Sequence, residues 1–167
     1  TGIASHDSSM FQYFGRLMNH GYVPYVDMFD HKGPLLFFIN ALGHLSFHGF
    51  EFLWFIEILS IFVTLMFSYF SARFFTNPGA AGIGIIVTSV IYANTLMGGN
   101  YSEEYALPLI SISLFLVSRF FIKKDARIYV PFLFGLTGVL VIFLRANMII
   151  LWGIGTVAVI GYLIVSK

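Results

Sequence analysis

The sequence predicts an all-α integral membrane protein, with about five transmembrane helices preceded by an extracytoplasmic loop that carries two short interfacial helices. Three observations lead there. Charged residues make up only 10% of the 167-residue chain and apolar residues 58%, with twenty phenylalanines. Soluble domains carry about 25% charged residues, so lipid is the expected solvent for most of this chain. Apolar stretches long enough to cross a bilayer core of about 30 Å recur along it. The basic residues also gather in every second connection between those stretches, which orients the chain.

Residues 1–50 form the polar leading region and residues 51–167 the membrane region. In the first, "HDSSMFQYFGRLMNHG" sets Met10, Phe11, Phe14, Leu17 and Met18 at helical spacing, with Asp7 as its N-cap and Gly21 as its C-cap. "PYVDMFDHKGP" has no period and reads as a loop. "PLLFFINALGHLSFHG" is too short to span and starts at Pro34. Its Asn40, His44 and His48 recur every fourth position, leaving Leu35, Phe38, Ile39, Leu42 and Leu45 on another face. That pattern predicts a helix lying in the membrane interface.

The spans are expected at 52–72, 80–96, 105–122, 128–144 and 148–165. The last two cannot be one helix, which would be about 57 Å long, so "RAN" at 145–147 must break the chain. Ser60, Thr64, Ser68 and Ala72 make a small-residue stripe on the first span, a surface for helix packing.

With the leading region outside, the inner connections hold Arg73, Arg119, Lys123, Lys124, Arg127 and Lys167, against Asp125 alone. The outer side holds Asp7, Asp27, Asp30, Glu51, Glu103 and Glu104, against Arg16, Lys32 and Arg145. Basic residues prefer the cytoplasmic side. The expected location is therefore a plasma membrane, bacterial, with the N-terminal region extracytoplasmic. A net charge of +1 gives no case for nucleic acid, and no nucleic-acid module is present. The absence of cysteine removes disulfides and thiolate metal sites. The chain begins at Thr1 without a leader, and the expectation is a piece of a longer chain that lacks an earlier span.

The residues that could carry chemistry crowd the outer rim. Asp27, Asp30, His31 and Lys32 cluster in the loop between the two short helices, and a lysine beside an apolar helix suits a phosphate at headgroup depth. Glu103 and Glu104 open the third span, where acids also complement the helix dipole. Glu57 falls inside the outer leaflet, where an ionisable group faces a cavity or a partner. Arg145, at the outer end of the fourth span, either snorkels or reaches an anionic headgroup. His44 and His48 have a metal-binding spacing but no carboxylate beside them. "NYS" at Asn100 is a glycosylation sequon set close to the membrane.

Taken together, "HDSSMFQYFGRLMNHGYVPYVDMFDHKGPLLFFINALG" and "NYSEEYALPLISISLFLVSRF" resemble, in order and spacing over roughly the first 120 residues, polytopic glycosyltransferases of the C-type fold. These are the relatives of protein O-mannosyltransferases and aminoarabinose transferases. The resemblance implies transfer of a sugar from a polyprenyl-phosphate donor to an unidentified extracytoplasmic acceptor. It makes Asp7 the catalytic base, Glu103 or Glu104 the second acid, and Lys32 with Arg145 the holder of the lipid phosphate. Asp27, Asp30 and His31 would support them. Where some relatives have an acid and a second proline, this chain has His31 and Gly33, which leaves open whether a divalent metal takes part. The implied partners are the donor and membrane lipid. Two other readings stand beside it: a non-catalytic lipid-binding membrane scaffold subunit, and a transporter, whose midplane polar sites are not suggested by acids that crowd one surface.

Overall fold

A computed structural model of the chain describes residues 6–45, 51–95, 99–125 and 127–165. Among the described residues seven α-helices follow one another: α1 (His6–Asn19), α2 (Pro34–Gly43), α3 (Glu51–Ala72), α4 (Pro78–Thr95), α5 (Ser102–Lys123), α6 (Tyr129–Arg145) and α7 (Ile150–Val165). A short 3₁₀ segment, Ala146–Ile149, joins the last two. No strand occurs among the described residues; a single isolated bridge pairs Pro24 with Met28.

Local chemistry fixes the helix ends. α1 buries Ser8, Phe11 and Gly15 on one face, the three- and four-residue spacing of a helix that docks on one side. Asp7 lies inside its first turn and not at the N-cap, because the helix already includes His6. Gly21 closes the helix in the left-handed region, at φ 89°, and the Tyr22 N–H turns back to the Leu17 carbonyl at 3.1 Å. At α4, the Asn77 side chain accepts the Ala80 N–H at 2.9 Å and Pro78 takes the first turn. The α5 helix begins three residues before the expected 105, since the Glu104 side chain accepts the Tyr101 N–H at 3.0 Å in a capping box.

Among the described residues four helical stretches are long and apolar enough to cross a membrane: α3, α4, α5 and the run Tyr129–Val165. That last run has 37 residues, and it does not continue as one rod. Arg145 is extended (φ −163°, ψ 102°) before the 3₁₀ segment. α6 and α7 then lie against each other, so that a Cβ on Gly138 would meet Trp152 at 2.8 Å and one on Gly155 would meet Phe134 at 2.8 Å. The break expected at 145–147 is thus a reversal.

α2 docks one face on the bundle. Its interior face holds Leu36, Phe37, Asn40, Ala41 and Gly43, whereas Phe38 and Leu45 look outward at 53% and 65% exposure. Of the polar stripe, Asn40 is buried against protein and His44 is half-buried, while part of the apolar set faces out. His48 lies outside the described residues.

α5 runs between α3 and α6, while α4 leans on α3. One buried cluster draws on six helices: Phe11, Leu36, Phe37, Leu53, Tyr105, Ala106, Val141, Leu144 and Trp152. Deeper along the bundle, Thr137 ties three helices. Its hydroxyl meets the Ser113 hydroxyl of α5 at 2.7 Å and accepts from the Trp152 indole N–H of α7 at 3.2 Å. Hydrogen bonds of this sort replace the hydrophobic drive that helices lack in lipid. Ser60 and Thr64 of the small-residue stripe are buried as well.

A close backbone approach joins α1 to α2, where a Cβ on Gly15 would stand 2.5 Å from the Asn40 carbonyl carbon. Gly15→Ala therefore forces the two helices apart, at about 1–3 kcal/mol, and is expected to lower the melting midpoint of the protein in detergent by several degrees. Gly82→Ala, where a Cβ meets nothing within 4 Å, is expected to leave the midpoint unchanged.

Candidate functional site

The residues picked out by sequence lie mostly at one end of the bundle, where the loop 20–33 and the start of α5 meet the end of α6. The loop is stapled internally. Asp27 accepts the Val23 N–H at 2.8 Å, and Tyr25, in the left-handed region at φ 68°, donates its hydroxyl to the Lys32 carbonyl at 2.6 Å. Burial and the Asp30 carboxylate push the Tyr25 phenol above its ordinary value.

Asp30, His31 and Lys32 form a chain. Asp30 accepts the Lys32 N–H at 2.9 Å and faces His31 Nδ1 at 3.1 Å, while His31 Nε2 stands 3.0 Å from Lys32 Nζ. With the lysine charged, its ammonium donates to Nε2, and Nδ1 carries the ring proton toward Asp30. Lys32 is only 8% exposed and lies 5.9 Å from the centre of the Phe11 ring. Next to it, the Gly33 N–H caps the end of α6 by donating to the Leu144 carbonyl at 2.9 Å. Any side chain at Gly33 would strike the Phe143 carbonyl. Lys32 is thereby held beside a helix C-terminus, where positive charge is stabilising. These observations account for charge gathered in front of an apolar helix.

Arg145, from the same end of α6, pairs with Glu103 of α5, which also accepts the Ser102 hydroxyl at 2.9 Å. Glu104 turns the other way and is 3% exposed. Across from it Glu57 of α3 packs on Gly99, whose Cβ would fall 3.0 Å from the Glu57 carboxylate, and the Asn100 backbone N–H lies in reach of both acids. The Tyr92 hydroxyl is buried beside them, with no hydrogen-bond partner among the described residues.

Sequence reasoning missed the centre of this end. Asn100 adopts φ 61° and is 1% exposed. Its amide donates to Asn40 Oδ1 at 2.8 Å and to the Ser8 carbonyl at 3.3 Å, and its oxygen accepts the Tyr105 hydroxyl at 2.9 Å. Asn40, fully buried, returns its own amide to the Leu36 carbonyl at 2.9 Å. The sequon at Asn100 therefore presents no reachable acceptor in the folded chain. The available signals were an asparagine inside the apolar run of α2 and a second after the glycine pair 98–99; asparagine tolerates the left-handed region better than most residues.

The two acids of α5 are thus separated, Glu103 to a surface pair and Glu104 to the interior. Asp7 is half-buried in α1, one turn before Phe11, and no ion pair joins it to Lys32. Asp27 serves the loop. Among the described residues no three histidine or acidic side chains converge as metal ligands, and His31 is turned to Asp30 and Lys32, so the divalent metal left open by the sequence finds no ligand set there.

Fold and site together define an all-helical, membrane-type domain whose polar rim is closed by its own side chains. The chain belongs to the competence-induced protein Ccs4 N-terminal domain family, whose model matches residues 1–167. Comparison with curated proteins and with solved structures finds no match. The whole-length family match overturns the resemblance to C-type-fold glycosyltransferases, and with it the sugar transfer. In the structure Lys32 lies against His31 and Arg145 against Glu103. The assignment of Asp7 as base and of Glu103 or Glu104 as second acid rested only on that resemblance.

Two outcomes follow from this arrangement. Glu104→Ala strands a buried N–H and is expected to cost about 1–3 kcal/mol, whereas Glu103→Ala breaks a partly exposed pair and costs below about 1 kcal/mol; thermal unfolding in detergent separates the two. At the end of α2, burial first and the Arg16 charge second hold His44 below its ordinary value, against the opposing pull of the Gln12 carbonyl. A histidine depressed by folding contributes stability above its unfolded value of about 6.5, and that contribution is lost as pH falls through the lower folded value. The melting midpoint should drop from pH 7 to pH 5, and His44→Gln should flatten that drop.

Proposed function

We propose that this domain is a non-catalytic, membrane-embedded scaffold, present in cells that have entered the competent state named by its family. The observation that carries the reading is the outer surface of α4 and α7. Ile83, Ile86, Val90 and Ile91 on α4, and Ile154, Val157, Ile160 and Ile164 on α7, are all more than half exposed. Continuous apolar surface of that kind belongs against lipid or against other membrane helices. In this reading α3 to α7 make five crossings of a bacterial plasma membrane, with α6 and α7 as a hairpin. The basic connection between α5 and α6 faces the cytoplasm, and the loop 20–33 lies outside. Membrane lipid is the first partner, and helices of another membrane protein are the second.

The chain has no cysteine, so single probes report cleanly. Ile86→Cys on α4, Ile154→Cys on α7 and Ser113→Cys between α5 and α6 would be placed in a cysteine-free version of the full-length protein and cross-linked in membranes of competent cells. The expected result is a discrete higher-mass adduct from Ile86→Cys or Ile154→Cys and none from Ser113→Cys, with transformation unaffected by Asp7→Asn. Absence of adducts from both outer positions, together with loss of transformation in Asp7→Asn at normal protein level, would reject the scaffold.

A further inference from the structure

The far end of the bundle holds a second polar feature that the scaffold reading does not use. Arg119 and Lys123 at the end of α5, Lys124 and Asp125 in the turn, Arg127 beyond it, and Phe74 after α3 line a cavity of about 590 Å³. That volume falls within the roughly 300–1,000 Å³ of ordinary ligand sites. Four cations share the cavity with a single carboxylate.

These cations are placed by the protein. Asp125 accepts Arg119 Nε at 2.7 Å and the Tyr129 hydroxyl at 2.9 Å, and Arg127 Nε stands 3.6 Å away. Burial raises the Asp125 carboxyl, but the hydrogen bonds from Arg119, Tyr129 and the Arg127 N–H outweigh it and hold the group below its ordinary value. Asp125 therefore stays charged and fixes one guanidinium on the cavity wall, with the other beside it. Lys124 takes the left-handed conformation at φ 54°, a position that favours glycine. Its ammonium reaches the Tyr162 hydroxyl at 2.6 Å and lies 4.2 Å from the ring centre. The turn thus holds a lysine in a strained conformation that ties it to α7. Phe74, packed on Phe115 at 5.6 Å, supplies an apolar wall on the bundle side.

Charges that only mark the side of a membrane need no such framework. We propose that this cavity is a binding site for a phosphate-type anion, either the phosphate of an acidic phospholipid headgroup or free inorganic phosphate. Its place beyond the end of α5, with four cations around it and an aromatic wall beside them, matches how basic pockets between helices hold lipid phosphates.

The test uses full-length protein in nanodiscs and its melting midpoint. One arm compares phosphatidylcholine discs with discs containing phosphatidylglycerol; a second adds inorganic phosphate to phosphatidylcholine discs, against chloride at equal ionic strength. Lys123→Gln/Arg127→Gln, at two exposed positions, serves as the variant, because neither side chain is buried. A rise of roughly 5 °C with phosphatidylglycerol that the variant lacks assigns the lipid headgroup. The same rise with inorganic phosphate, again absent from the variant, assigns free phosphate. No rise in either arm, or a rise that the variant keeps in full, overturns the proposal.

Discussion

Asn100 is the point at which three parts of this chain are tied together away from water. Its side chain bonds Asn40 of α2, the Ser8 carbonyl of α1 and the Tyr105 hydroxyl of α5 while remaining 1% exposed. In lipid, burying apolar surface does little to favour one helix arrangement over another. An unsatisfied amide in such a place costs several kcal/mol, so the node specifies where α1 and α2 sit. Once they are seated, Gly33 reaches the end of α6, Lys32 is drawn under the loop, and Leu36 and Phe37 complete the cluster shared by six helices.

The same logic recurs lower in the bundle and fails to recur on its flanks. Thr137, Ser113 and Trp152 fasten α5, α6 and α7 by hydrogen bonds. α4 has only Ala81 buried, and its glycines at 79, 82 and 84 meet almost nothing. The domain is therefore firmly joined along α5 and open along α4 and α7. That division places specificity in polar joints and leaves the flanks to whatever surrounds the protein.

Composition made the membrane character plain, because no soluble core needs twenty phenylalanines in 167 residues. The break near Arg145 followed from length alone, and the extended backbone there is what allows Trp152 to return to Gly138. What the sequence left open on α2 was the environment of Asn40, since a polar residue at period four can face water or a neighbouring helix. Asn40 has the same spacing in either case, and only its partner Asn100, sixty residues away, decides between them. The separation of Glu103 from Glu104 was equally hidden: adjacent residues on a helix point about 100° apart, and which one meets Arg145 depends on how α6 ends. The family resemblance failed for a related reason. An ordered set of acids, a lysine and a proline can serve a reaction, and here the same kinds of residue close a loop over a helix end.

Amide hydrogen exchange on the full-length protein in nanodiscs, comparing wild type with Asn100→Leu, tests the organising node most directly. If the buried amide seats the two short helices, the variant loses protection throughout α1 and α2 together, while the turn around Arg119 to Asp125 exchanges as before. Protection lost only at residues 99–101, with α1 and α2 unchanged, would show that the apolar cluster alone holds this end and that Asn100 is not its organiser.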